Sequence, residues 1–119
     1  MKRSSTSFDS VLDLCRHQHR RIVLAILAEE QRSLTVNDLS QAILKYNHQT
    51  QITEASEDVI VEIRLSLQHV HLPKLAAKGL ITNHPDRQIV EPTEQLEQVQ
   101  PTVSTIIDAD PTLEAPIEL

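Results

Sequence analysis

Gly79 is the only glycine in a chain of 119 residues, so almost every turn of the backbone must be made without one. It follows Leu75, Ala76, Ala77 and Lys78 and stands where a helix C-terminus calls for a left-handed residue. The sequence divides around it. Ahead of it, apolar residues recur at helical spacing; behind it, residues 80–83 and 88–91 read as two short strands around His84, Pro85, Asp86 and Arg87, a turn-forming tetrapeptide. Pro73 suits the first turn of a short helix over residues 74–78 but would break an uninterrupted one, so a kink is expected near Leu72.

The helical part begins with Val11, Leu14 and Cys15, a short first helix with Ser7 or Asp9 as its cap. Residues 16–19 form a polar break. A second helix is expected over residues 17–30, burying Ile22, Val23, Ile26 and Leu27. A third, over residues 33–46, starts with Thr35 as N-cap and Asp38 three residues on, while Leu34 is placed to staple onto Leu39; Val36, Leu39 and Ile43 make its buried stripe. Residues 47–55 read as a polar connector. Ser56, Glu57 and Asp58 then open a further helix, with acidic groups where the helix dipole favours them, reaching about His71. Leu96, Val99, Val103 and Ile106 lie on one helical face, but Pro101 interrupts the run, leaving two short helices or one broken one.

Charge and composition narrow the function classes. The net charge is -6, yet residues 91–119 hold seven acidic groups and no Lys or Arg, while residues 1–90 hold 11 basic and 10 acidic groups. A near-neutral body permits DNA binding without arguing for it, since phosphate neutralisation needs a basic face. No apolar run approaches the roughly 20 residues that span a bilayer, and Lys2 and Arg3 lead into Ser4–Ser7 and not into an apolar leader. The lone Cys15 fits a reducing compartment. A cytoplasmic protein is expected, with no membrane partner. The absence of a glycine-rich phosphate loop or a nucleophile elbow argues against an enzyme, and no small-molecule ligand or cofactor is expected. Phe8 and Tyr46 are too few aromatics for a single-strand stacking platform. Six histidines suggest a metal, but His17 and His19, like His69 and His71, are two apart and on a helix would point about 160° from each other. Cys15 and His19 alone have i, i+4 spacing, across a helix break. No metal site is expected.

The helix over residues 56–71 carries two apolar stripes, Val59, Ile60, Ile63, Leu67 and Val70 on one side and Val61, Leu65 and Leu72 on the other. Either the run from Leu96 to Ile106 folds over the second stripe, or another copy of the chain covers it, or it forms a third layer of core within one chain; a homodimer is the favoured expectation. Between the stripes lie Arg64, Gln68 and His71, and opposite them Glu62, Ser66 and His69.

Three helices and a hairpin in this order, ending in Leu75, Ala76, Ala77, Lys78, Gly79, Leu80 and Ile81, resemble the winged helix-turn-helix pattern of archaeal and bacterial regulators. More narrowly, Arg20 and Arg21 ahead of Ile22, the segment 34–42, and His71, Leu72, Pro73, Lys74 and Leu75 followed by Gly79 resemble an uncharacterised domain family of small haloarchaeal proteins. The resemblance covers residues 8–92 and implies a winged-helix fold with a role in DNA-linked regulation.

The expected architecture is therefore mainly α. Residues 1–7 form a disordered start, 8–92 a winged helix-turn-helix domain with a two-stranded hairpin wing, 93–107 an amphipathic helical segment and 108–119 a disordered acidic tail. The expected function is a transcriptional regulator that binds duplex DNA, with Arg64, Gln68 and His71 toward the groove and Lys74 and Arg87 on phosphates. Arg16, Arg20 and Arg21 could grip a DNA backbone or pair with Asp9, Asp13 or the tail. The alternative is a protein-interaction or dimerisation module on the same scaffold, without DNA binding.

Overall fold

The computed structural model describes residues 8–46 and 57–110. Helices α1 (Phe8–Leu14) and α2 (Gln18–Glu30) lead into a two-residue strand β1 (Leu34–Thr35) and helix α3 (Val36–Tyr46). Helix α4 (Glu57–Ser66) runs through a π-helical turn, Leu67–His71, into α5 (Leu72–Ala77). Strands β2 (Ile81–His84) and β3 (Ile89–Pro92) and helix α6 (Glu94–Asp108) complete the chain. The expected connector over residues 47–55, the start at residues 1–7 and the end of the acidic tail lie outside the described residues.

The hairpin is joined by a third strand. β3 lies at the centre of an antiparallel sheet of order β1-β3-β2, with Leu34 opposite Val90 and Ile81 opposite Pro92. The sequence pattern predicts only the two strands of the hairpin, because a two-residue strand shows no period of its own. The predicted capping box adjoins β1: Asp38 N–H donates to Thr35 Oγ1 at 2.9 Å and Thr35 N–H to Asp38 Oδ2 at 3.4 Å. Helices before and after a small sheet of this order give a mainly helical, winged-helix-like layout.

α2 is the central helix. Ile22, Val23, Leu24, Ile26, Leu27 and Ala28 are all buried on it, more of its circumference than the single face expected. The reason is α6, which packs along α2 and also meets α1, burying Leu96 and Val103 in the same core as Leu14, Leu27, Leu39 and Leu67. α6 passes unbroken through Pro101. That proline is exposed, and burial of Leu96 and Val103 on either side of it stabilises the helix by roughly 1.5–3 kcal/mol each, comparable with the ~3 kcal/mol cost of an interior proline. The chain after α6 is also anchored: Asp110, placed by the sequence in a disordered tail, forms a 2.8 Å ion pair with Arg21.

Gly79 has φ +81°, the left-handed conformation expected of it. A Cβ there would also meet the side-chain amide of Gln95. Thr93 Oγ1 donates to the carbonyl of Gly79 at 2.7 Å and, as the N-cap of α6, accepts from Leu96 N–H at 3.4 Å. One threonine thus ties the end of the α4–α5 segment to the start of the last helix.

Candidate functional site

Two regions hold the polar chemistry of this fold: the outer surface of the α4–α5 segment with the hairpin tip, and a histidine cluster where that segment meets the start of α2.

The first is set by the π turn. Leu72 N–H bonds to the carbonyl of Leu67, five residues back, and Pro73 follows at once. A proline ring clashes with the carbonyl four residues earlier, here that of His69, and the wider turn relieves that conflict. The widening also resets the buried face. Ile63 and Leu67 are followed in the core by His71, Leu72 and Leu75, while Val70, expected in the core stripe, is 48% exposed. Leu72, expected on the second stripe, is fully buried, leaving Val61 and Leu65 exposed there. α6 lies on α2 and does not provide the cover considered for them.

The predicted DNA-facing residues separate accordingly. Arg64 and Gln68 are half-buried along the helix, Lys74 is exposed on α5, and Arg87 is exposed in the hairpin turn. The turn is closed by Arg87 N–H donating to the His84 carbonyl at 3.1 Å. His71 does not join them. It is 3% exposed and faces inward, because the π turn rotates it onto the core side. Glu57, Asp58 and Glu62 are exposed on α4, and the basic side chains Arg64, Lys74 and Arg87 follow them toward the hairpin.

The arginines of α2 serve the interior. Arg20 Nε donates to the Leu14 carbonyl at 2.7 Å. Arg21 donates to the carbonyls of Cys15 at 2.7 Å and Arg16 at 3.3 Å and pairs with Asp110. These contacts satisfy carbonyls left open at the end of α1. Arg16 pairs with Asp13 in solvent. Of the two roles left open for this cluster, pairing with an acidic group describes Arg16, on Asp13, and Arg21, on Asp110, while Arg20 is spent on a backbone carbonyl. Between them the Cys15 thiol is pushed up to about 11 by burial, against the pull of Arg21 and Arg20, which makes it a packing residue and a poor nucleophile.

The second region is invisible to helical spacing. His17 is the N-cap of α2, with extended backbone at φ -98° and ψ 129°, and its Nδ1 accepts from His19 N–H at 3.1 Å. Since His17 lies outside the helix, the 160° separation expected of two helical residues does not apply to it. His71 arrives from the π turn. The ring centroids of His17 and His71 are 4.2 Å apart, those of His17 and His19 4.9 Å, and those of His19 and His71 5.8 Å. One ring nitrogen from each of the three lies within 4.8 Å of the others. His17 is exposed, His19 half-buried and His71 buried, and the Nδ1 atoms of both His19 and His71 are buried without a hydrogen-bond partner. The sequence signal available was the pairing of histidines at a helix start with one two residues before a proline, but only tertiary structure brings them together.

Burial holds all three rings toward the neutral form. It lowers His19 to about 4, with His17 adding to the effect; it lowers His71 to about 4, reinforced by His17, His19, Arg20 and Lys74; and it lowers His17, reinforced by Arg20 and Arg21. A histidine with a depressed folded value contributes stability present above its unfolded value near 6.5 and lost as pH falls through the folded value. With chelator present, the melting temperature is expected to hold above pH 7 and to drop between pH 6.5 and 4, by on the order of 10 °C. Scanning calorimetry checks this; a flat profile down to pH 4.5 counts against a buried neutral cluster.

The fold and these two regions define a small, mainly helical domain with a three-stranded antiparallel sheet, and no helix among the described residues is long and apolar enough to cross a membrane. Residues 12–91 match the family model described as Domain of unknown function (DUF7344), and the chain belongs to that family. The matched region includes His17, His19, His71 and the hairpin. No curated protein and no solved structure matches the chain.

Proposed function

We propose that this domain is a winged-helix module that binds duplex DNA and acts in transcriptional regulation. The observation that carries the reading is the β1-β3-β2 sheet, whose hairpin presents Arg87 at an exposed tip on the chain segment that follows α5 with its exposed Lys74. In such a layout the wing and the end of the α4–α5 segment approach the phosphate backbone, while Arg64 and Gln68 offer a guanidinium and an amide to base edges. Glu57, Asp58 and Glu62 direct the approach, since phosphates are repelled from the N-terminal half of α4. The reading therefore places DNA toward the hairpin.

Arg87→Glu is expected to weaken binding to random-sequence duplex by about ten-fold and to reduce the slope of log affinity against log salt by about 1–2. Fluorescence anisotropy across a salt series measures both. Equal affinity and slope in parent and variant would remove the hairpin from the interface. The second reading, a protein-interaction or dimerisation module, is favoured by exposed Val61 and Leu65 beside the acidic start of α4. The same titration separates the two, because that reading requires no salt-dependent DNA affinity in the parent chain.

A further inference from the structure

We infer that His17, His19 and His71 form a binding site for a divalent late transition metal, with zinc the best match. The inference rests on the cluster alone and holds whether or not the domain binds DNA. Three imidazoles from two distant parts of the chain converge, with one nitrogen of each within 4.8 Å of the others. A tetrahedral zinc ion with Zn–N of about 2.0–2.1 Å brings its nitrogens to about 3.4 Å of one another. The site therefore closes by at most about 1.4 Å between any two nitrogens, within reach of small rotations of the imidazole rings.

A second observation points to a ligand. His71 is 97% buried, 3% of it remaining exposed, and its Nδ1 has no hydrogen-bond partner; Nδ1 of His19 is likewise buried and without one. Leaving such groups unsatisfied typically costs about 1–3 kcal/mol each, an outlay that simple packing of apolar side chains would avoid. Neutral imidazole nitrogens suit zinc, copper and nickel better than the hard cations magnesium and calcium. Among the described residues the cluster includes no thiol or carboxylate, so it offers three protein ligands and, on the side of exposed His17, a fourth position open to water. Arg20 and Lys74 lie close enough to act electrostatically on the rings, which lowers the affinity for any cation and sets this site apart from a structural zinc centre that the fold cannot form without.

Coordination has one internal consequence. His17 Nδ1 now accepts from His19 N–H, so in the neutral ring the proton sits on Nε2. A metal on Nε2 moves that proton to Nδ1, and a metal on Nδ1 takes its lone pair. Either way the cap bond to His19 N–H is released. The ion exchanges a helix cap for a cross-link between the start of α2 and the π turn.

The test uses the full chain without an affinity tag, stripped with chelator and titrated with zinc by calorimetry and with cobalt by visible absorption. The expected result is one ion per chain, a cobalt d–d band of four- or five-coordinate type, and a shifted His19 amide resonance. His17→Asn keeps an oxygen acceptor for the helix cap, so it should fold; it is expected to bind zinc at least ten-fold more weakly and to lose the cobalt band. His69→Asn, at an exposed position on the same turn, is expected to bind as the parent does. Absence of the cobalt band in the parent, or equal zinc affinity in parent and His17→Asn, would overturn the assignment.

Discussion

A chain ending at Pro92 is expected to lose cooperative folding at 25 °C, although it retains every element of the winged-helix-like layout. α6 supplies Leu96 and Val103 to the core, 0% and 1% exposed, with Val99 and Ile106 packed against it. Fully burying Leu and Val is worth roughly 1.5–3 kcal/mol each, and the truncation also uncovers the side of α2 that holds Ala25 and Ala28. It removes Asp110 from Arg21 as well. The sum is about 5 kcal/mol or more, set against a total stability of roughly 5–15 kcal/mol for a domain. Circular dichroism during thermal unfolding is the measurement. A truncated chain with a sharp transition within about 5 °C of the parent would show that α6 is an appendage. A chain ending after Asp110 is the proper test of whether the residues beyond affect binding.

Arg21→Ala is expected to cost about 2–4 kcal/mol, seen as a shift in the urea midpoint with an unchanged slope. The guanidinium pairs with Asp110, whose side chain is 2% exposed, and donates to the carbonyls of Cys15 and Arg16. Its loss withdraws the positive charge from a buried carboxylate and the donor from the end of α1 together. Arg21→Lys should recover less than half, since an ammonium cannot span the carboxylate and two carbonyls as the guanidinium fork does. An Arg21→Ala midpoint equal to that of the parent would show that Asp110 is readily released into water.

These residues illustrate what was legible in the sequence. Features with a local cause were: Thr35 and Asp38 form their capping box, Gly79 takes the left-handed conformation, and the hairpin brackets its proline turn. Features decided by distant contacts were not. Nothing near Pro101 signals that packing on α2 keeps α6 continuous. A two-residue strand such as β1 exists only through its pairing with β3. His71 looked like a groove-facing residue because an α-helical projection was carried across a turn that is not α-helical, and the same error placed Val70 inside and Leu72 outside. The histidine cluster lay beyond any spacing rule, since one partner stands outside its helix and another is more than fifty residues away.

The π turn has a consequence for how this chain can vary. α4 packs on α3, and α5 packs on β2; between them the backbone holds one residue more than an α-helix needs. Each half thus has its rotational phase set by a different neighbour, and the turn absorbs the mismatch. Substitutions that swivel the outer half about its own axis need not propagate into the hairpin, so one surface could diverge among relatives while the other keeps its register.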